Sequence, residues 1–323
     1  MMRARVSGET LKTTYSVIIP ARNEERNIGH CLQSIDAVDW PDDDVEVLLI
    51  DNGSSDATPA IARLHGATVF VRPGDTVAAL RNYGAAQSRG EILVFLDADC
   101  TVPRTWFREA ARYLDTEDVV CFGSPPVVPP DSTWVQRAWY WVRRKEGITD
   151  TDWLESMNMF VRRQAFQQVG GFNAALVTCE DYDLSLRLRR LGRLVSDDRI
   201  VAVHHGEAAS LLHFFRKEHW RALGNLRGLG SHSFQWRELP SVALPIIYCL
   251  LVFALAALLL AGAFLPRDLL LYGLAGLLLI WQVPLVVLAF WKIRSSRVVA
   301  VSQLYVLFNI YFLARGLASL RWR

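Results

Sequence analysis

Apolar positions follow two different rhythms along the chain. Up to residue 239 they come as short runs separated by polar turns. Tyr15–Pro20 (YSVIIP) is a β-branched run closed by proline and predicts a strand, whereas Glu24–Ala37 sets Ile28, Cys31, Leu32 and Ile35 at helical spacing. The order then repeats. Val45–Asp51 predicts a strand, Asn52–Asp56 a turn with N-cap residues, and Ile61 and Leu64 a helix. Ala67–Val71 and Glu91–Leu96 predict further strands, with helices over Val77–Ser88 and Arg104–Leu114. Later, Leu184, Leu188 and Leu191 mark a helix preceded by Glu180-Asp181, and Ile200–Val203 predicts another strand. Alternating strands and helices imply an α/β domain, a mostly parallel sheet covered on both faces. Such sheets bind ligands beyond the carboxyl ends of their strands, where Asp51, Asp97 and Asp99 fall.

Beyond residue 239 the rhythm changes. Ser241–Leu265 is 25 residues without a charge, and a helix of that length rises ~37 Å, enough to cross a hydrocarbon layer of ~30 Å. Leu269–Trp291 adds 23 uncharged residues after the Pro266-Arg267-Asp268 break, which predicts a transmembrane hairpin. Val298–Ala314 has 17 uncharged residues but includes Ser302, Gln303 and Asn309, so either a third span or an interfacial helix anchored by Tyr305, Tyr311 and Phe312 is compatible with it. The expected division is a catalytic domain over 1–239 and a membrane anchor of two or three helices over 240–323.

Charge sharpens that division. The chain has 323 residues and a formal charge of +2, but from Pro240 onward there are seven basic residues and one acid, Asp268. The tail is therefore +6 and the remaining 28 basic and 32 acidic residues make the first part −4. The near-zero overall balance argues against nucleic acid as a partner, since such proteins usually carry a strong basic excess. Five cysteines without CxxC spacing suggest neither a disulfide framework nor a zinc site. Met1–Tyr15 contains no apolar h-region, so the catalytic part is expected in the cytoplasm of a plasma or bacterial inner membrane. Lys292, Arg294 and Arg297 then return to the inside, in keeping with the positive-inside rule.

Asp97-Ala98-Asp99 places two carboxylates two residues apart at a strand end, on one face of an extended segment. They offer hard oxygen donors for Mg²⁺ or Mn²⁺, ions that commonly bridge carboxylates to a diphosphate. No G-x-G-x-x-G or P-loop sequence follows the early strands.

Five blocks in order, SVIIPARNEERNIGHCLQSI, VEVLLIDNGSSDAT, RNYGAAQSRGEILVFLDADC, NMFVRRQAFQQVGGF and CEDYDLSLRLRRLG, resemble the family 2 glycosyltransferases over about Tyr15–Gly206. The resemblance implies an inverting enzyme with a nucleotide-sugar-binding, Rossmann-like GT-A domain, a nucleoside diphosphate sugar donor and Mg²⁺ or Mn²⁺. By position in those blocks, Pro20, Arg22 and Glu24 match the first nucleotide loop, Asp51 the acid that contacts the base, and Arg81 a basic residue near the nucleotide. Asp97 matches the residue facing ribose and metal, and Asp99 the principal metal ligand. Asn52 departs from the family, which often has a second Asp there, and a modest effect on base or ribose contact is expected. Asp181 matches the base that deprotonates an acceptor hydroxyl, with Glu180 beside it positioning acceptor or loop. Of His204 and His205, which face opposite ways on a strand, His205 is the candidate further metal ligand and His204 the alternative.

The activity this implies is transfer of a sugar to a lipid-linked or membrane-proximal hydroxyl. A polyprenyl-phosphate glycosyl synthase is the alternative within the class, and a non-catalytic nucleotide-sugar-binding subunit the alternative outside it. Trp134, Trp139, Tyr140 and Trp141 among Arg137, Arg143, Arg144 and Lys145, and the LLHFFRKEHW run from Leu211, suit a membrane surface or an acceptor platform. A plain core helix with a solvated face fits them equally. No Q-x-x-R-W motif of processive synthases occurs in either block.

Overall fold

Strand β1 (Thr14–Ala21) is buried along all but its first residue, because it is flanked on both sides by parallel neighbours. A computed structural model describes residues 14–40, 44–228, 239–293 and 298–320. After β1 come α1 (Ile28–Asp36), β2 (Asp44–Asp51), α2 (Thr58–Leu64), β3 (Thr68–Val71), α3 (Val77–Gln87) and β4 (Ile92–Leu96). Then follow β5 (Cys100–Thr101), α4 (Trp106–Ala110), β6 (Val119–Gly123), α5 (Trp134–Arg143), β7 (Ile148–Asp150) and β8 (Asn158–Arg162). The order continues with α6 (Arg163–Gln168), α7 (Glu180–Leu188), β9 (Arg193–Asp197), β10 (Val203–His204) and α8 (Leu211–Gly228). Three long helices end the described chain, α9 (Leu239–Ala261), α10 (Arg267–Ile293) and α11 (Val298–Leu320).

Packing groups these into two compact units. The first holds the described residues of Met1–Pro126, Lys145–Ala175 and Glu180–His205. Its eight-stranded sheet runs β3-β2-β1-β4-β8-β6-β9-β7. Strands β1 to β4 are mutually parallel, β8 runs antiparallel to both β4 and β6, β9 is parallel to β6, and β7 antiparallel to β9. The sheet is thus mostly parallel, as the β-α alternation predicts. Two apolar cores cover it, one around Ile28, Leu32, Trp106 and Phe160 and the other around Phe95, Phe166, Phe172 and Leu184. Opposite β1, Ala21 pairs with Asp51 and Ile18 with Phe95. That register brings the loops after β1, β2 and β4 out at one edge of the sheet.

Several boundaries differ from those the sequence predicts, each for a local reason. The helix expected from Glu24 begins at Ile28, since Glu24–Asn27 form a turn in which the Asn27 and Ile28 N–H groups both donate to the Glu24 carbonyl. Arg104–Leu114 shortens to α4 followed by a 3₁₀ turn, Ala111–Tyr113. Glu180 is the first residue of α7 and does not precede it. The strand expected over Ile200–Val203 is only Val203–His204, paired with β5. The Ile200 carbonyl is instead claimed by the Ser124 hydroxyl and the Asn158 amide, both at 2.7 Å, so no strand neighbour reaches it.

The second unit comprises Val127–Arg144, Leu176–Cys179 and the described residues of Gly206–Arg323. It joins α5 and α8 to the three C-terminal helices, so packing does not divide the chain at residue 239. The reason lies in aromatic contacts: Trp139 of α5 packs against Phe214 of α8 and Tyr311 of α11, at ring separations of 4.8 and 5.4 Å. Helix α5 starts at a capping box made by Thr133 and Gln136 and buries Val135, Ala138 and Trp139. Trp141 remains exposed beneath the Arg144 guanidinium, 4.6 Å from its ring centre. Helix α5 thus buries one face in a core and leaves the other exposed. Helices α9, α10 and residues Ala300–Leu320 of α11 are each long and apolar enough to cross a membrane. The charges Arg294, Arg297, Arg321 and Arg323, and the polar stretch before Thr14, lie outside the described residues.

Candidate active site

The loops after β1 and β2 are stitched to each other. Asn23 adopts φ 57°, a left-handed conformation that asparagine tolerates better than most residues. Its N–H donates to the Ser54 hydroxyl, and its side-chain oxygen accepts from the Ser55 N–H. Glu24 N–H donates to Thr58 Oγ1 at 2.7 Å, while Glu25 and Asp56 cap the opposite loop's backbone in return. This frame turns Glu24 into a cleft lined by Pro20, Arg22, Asn52, Asp97 and Asp99. Glu24 therefore carries no helix-capping role: α1 has no acidic residue in its first turn. Burial, opposed by the hydrogen bond from Asn27 and reinforced by the charges of Asp99 and Asp97, pushes its carboxyl above the ordinary range.

Asp51 ends β2 almost completely buried. One oxygen accepts from Ser54 N–H at 3.0 Å, and the other, Oδ1, has no hydrogen-bond partner. A buried carboxylate oxygen left bare is costly, and Asp51 Oδ1 keeps an open acceptor position at the end of β2. Its neighbour Asn52 is fully employed. The carboxamide accepts from Gly74 N–H at 2.8 Å and donates to the Asp75 carbonyl at 3.0 Å, holding the turn after β3. An aspartate could make only the first bond and would set its charge against that carbonyl. Asn52→Asp is accordingly expected to lose about 1–3 kcal/mol, a loss that thermal denaturation reads as a lower Tm.

The two acids of the D-x-D segment have different partners. Asp97 Oδ1 accepts from Arg81 Nη2 at 2.7 Å, and Asp99 Oδ2 lies 3.1 Å from His204 Nε2. The β5–β10 pairing causes the second contact by setting His204 opposite Cys100. His205 points elsewhere, its ring 3.0 Å from the Thr101 hydroxyl, although its N–H donates to the Asp99 carbonyl. Of the two histidines it is thus His204 whose side chain reaches the D-x-D carboxylates.

Arg81 joins this cleft to the E-D pair. It sits on α3, only 3% exposed, and its second arm donates from Nη1 to Glu180 Oε1 at 2.8 Å. Burial works against the guanidinium charge, but Asp97 and Glu180 outweigh it and hold Arg81 above its ordinary value. Phe172, following the Gly170-Gly171 turn at positive φ, packs 5.6 Å beneath it. A Cβ on Gly171 would meet the Asn82 side chain at 2.6 Å, and that same Asn82 is bonded to both the N–H and the carbonyl of Phe172. The glycine pair therefore shapes the turn that seats Phe172.

Asp181 is half-buried at the start of α7. Burial, then the charges of Glu180 and Glu155, push its carboxyl up to about 7, against the Tyr182 N–H bond and the more distant Arg81. The residue before the pair, Cys179, holds φ 65°, an unfavourable conformation for a non-glycine residue. Next along, Tyr182 meets Trp153 edge to face at 6.3 Å, and Lys145 lies 5.6 Å over Trp153. The arrangement holds the Asp181 carboxyl above its ordinary range, and its neighbour Glu180 is tied through one buried arginine to a carboxylate-lined cleft.

Residues 16–172 match the family model described as glycosyl transferase family 2. This stretch is a glycosyl transferase family 2 domain. It is 31% identical over 187 residues to glycosyltransferase AglE of Haloferax volcanii, covering 55% of this chain and 62% of that one. Against the beta-monoglucosyldiacylglycerol synthase of Synechocystis sp. it is 29% identical over 192 residues, 53% of this chain and 39% of that one. The chain thus spans between two fifths and two thirds of the length of these relatives. Among solved structures, mannosyltransferase PcManGT from Pyrobaculum calidifontis, in complex with GDP-Man and Mn²⁺, superposes with a TM-score of 0.64 at 19% identity. That likeness covers 97% of this chain and 87% of that one, and it carries the fold, a GT-A domain followed by apolar helices.

The predicted residues Pro20, Arg22, Glu24, Asp97 and Asp99 line one cleft, while Arg81 and Glu180 meet just beside it. Asp51 lies at the end of the neighbouring strand. Asn23, Glu155 and the His204–Asp99 contact are additional. Asn23 had a readable signal, asparagine between Arg22 and Glu24 in a loop leaving a strand. Glu155 had none.

Proposed function

We propose that this protein is an inverting glycosyltransferase that moves a sugar from a nucleoside diphosphate sugar to a hydroxyl of a lipid-linked or membrane-proximal acceptor. The observation that carries this reading is Arg81, which binds Asp97 with one arm and Glu180 with the other and so couples the donor cleft to the acid pair. The elevated carboxyl of Asp181 favours a hydroxyl acceptor over a lipid phosphate. A group that must lose a proton needs a base poised near neutrality, whereas a phosphate is already ionised. The beta-monoglucosyldiacylglycerol synthase among the relatives supports an acceptor at the membrane. Residues 1–239 then supply the catalytic part together with α5 and α8, the helices packed on the anchor helices of 240–323, with the catalytic part on the cytoplasmic side.

The donor is held by the loops after β1, β2 and β4. Asp51 offers its unsatisfied oxygen to an N–H of the base, and Arg22 and Glu24 border the ribose and diphosphate. The residues fit a divalent cation, Mg²⁺ or Mn²⁺. Asp97 and Asp99 are hard oxygen donors in one cleft, with His204 bracing Asp99. Among the described residues no three His, Cys, Asp or Glu side chains converge on one point, so Asp97 and Asp99 are the side chains that would hold the ion. When bound it supplies charge neutralisation for the departing diphosphate.

Asp181 takes the proton of the acceptor hydroxyl as that oxygen attacks the anomeric carbon from the face opposite the diphosphate. Glu180, fixed by Arg81, keeps the start of α7 in place. Thermal-shift titration with UDP-, GDP- and dTDP-sugars, each with Mg²⁺ or Mn²⁺, tests the donor side. One donor is expected to raise Tm in the unaltered protein and to fail in Asp99→Ala, and indifference to every donor overturns the assignment.

A further inference from the structure

Helix α11 is long and apolar enough to be a third crossing, yet its contacts return it to the level at which it starts. Helices α9 and α10 form an antiparallel hairpin: Gly262 lies against Leu270, Gly273 against Leu258, and Tyr248 against Trp281 at a ring separation of 5.3 Å. The beginning of α9 and the end of α10 therefore share one level. Only residues 294–297 separate α10 from α11, and five Cα steps reach at most about 18 Å, so α11 begins near that same end.

Its second half stays there. Tyr305 Oη donates to Gln282 Oε1 at 2.6 Å, and Gln282 adjoins Trp281, the residue level with Tyr248. Farther along, Tyr248 Oη donates to Asn309 Oδ1 at 2.9 Å, and Cys249 Sγ meets the Leu313 carbonyl at 4.0 Å. A Cβ on Gly316 would strike the Pro245 carbonyl and Cys249 Sγ, so the two backbones meet at that glycine. From Tyr305 to Gly316 a helix rises about 16 Å, while the partners of Tyr305, Asn309, Leu313 and Gly316 named above lie at Pro245, Tyr248 and Cys249 of α9 and at Gln282 of α10. Helix α11 passes across the hairpin instead of running along it.

We propose that α11 does not cross the bilayer. It lies obliquely in the boundary layer where α9 enters and α10 leaves, against lipid headgroups, so that the described helices cross twice and the end of α11 is on the same side as the end of α10. This rests on the reading that α9 and α10 are membrane spans. Helix α8 holds α11 in that layer. Glu218, wholly buried, accepts from Arg315 Nε at 2.9 Å and from Arg221 at 2.7 Å, and His219 Nδ1 lies 3.1 Å from the Ala314 carbonyl. The outer face of α8 mixes exposed Leu212, Trp220 and Leu223 with Arg216, a composition suited to the water–lipid boundary. Exposure separates the three helices as well. Leu244, Leu250, Phe253 and Leu260 of α9, and a comparable row on α10, face outward, whereas on α11 only Val306 and Leu320 do so among the described large apolar residues. With two crossings, the six basic residues of the tail other than Arg267 share one side, as the positive-inside rule favours.

Three single substitutions in the full chain test this in sealed membrane vesicles: Arg267→Cys, Ser295→Cys and Arg323→Cys. Each is treated with a membrane-impermeant maleimide before and after permeabilisation, with the unsubstituted chain as background for the native cysteines. In vesicles where Ser295→Cys reacts before permeabilisation, Arg323→Cys is expected to react as well and Arg267→Cys only afterwards. Reaction of Arg323→Cys together with Arg267→Cys overturns the proposal. A protease-cleavable tag placed after Arg323 gives the same reading without altering the bundle. Alkaline carbonate extraction separates the two levels of the claim. Release of the protein, or labelling of Arg267→Cys and Ser295→Cys from one side, defeats the anchoring reading, whereas a retained protein with Arg323 on the Arg267 side defeats only this inference.

Discussion

Asp181→Asn is expected to lower glycosyl transfer by about 10²- to 10⁴-fold, the range supplied by a positioned general base, without lowering stability. The two halves of this expectation have one cause. Burial beside Glu180 and Glu155 raises the Asp181 carboxyl to about 7, above its value in the unfolded chain. Between about pH 4 and pH 7 the folded protein therefore binds more protons at this site than the unfolded one, and stability declines as pH rises through that window. Asparagine removes the titration. At pH 8 the variant should melt at or above the temperature of the unaltered protein while transferring almost no sugar. In the unaltered protein kcat/KM should fall below about pH 7 as the base takes up its proton. A variant that keeps its rate contradicts a hydroxyl acceptor, and one that loses both rate and Tm indicates a capping residue only.

Arg81→Met removes the other central group and is expected to affect both measurements together. It leaves Asp97 and Glu180 without their shared cation, and breaking a buried ion pair typically costs about 3–5 kcal/mol. Asp97 and Glu180 retain some exposure, so the lower end of that range is expected. Donor binding should weaken because Asp97 is then free to turn. Arg81→Lys keeps the charge but has one ammonium where two separate nitrogens reach two carboxylates, so it should recover stability only in part. Urea denaturation and donor titration on the same samples check both effects, and unchanged values in Arg81→Met would show that the bridge has no role.

The parallel half of the sheet was legible because its strands are apolar runs closed by turn chemistry, as in Val45–Asp51 before Asn52-Gly53. The second half was not. Strand β8 runs antiparallel between β4 and β6, and nothing in the run NMFVR reveals its direction, which is fixed by partners more than sixty residues away along β4. The cleft residues were legible from their positions at strand ends, but their pairings were not. Arg81 reads as a polar residue on a helix until α7 folds back to bring Glu180 to it, and the choice between His204 and His205 depends on the two-residue register with β5. The tail shows the same limit. Length and charge mark out three apolar helices, whereas the course of α11 follows from Gly316 meeting Pro245 and from Glu218, a buried acid on a helix whose sequence fits a membrane surface and a core equally.

The measurement that bears most directly on the proposed chemistry is the anomeric configuration of the product, read by NMR after transfer from a donor of known configuration in membranes containing the unaltered protein. Attack opposite the diphosphate, with Asp181 taking the acceptor proton, predicts a product of inverted configuration, formed by the unaltered protein and essentially absent with Asp181→Asn. A product that retains the donor's configuration, or equal yields from the two proteins, would contradict it.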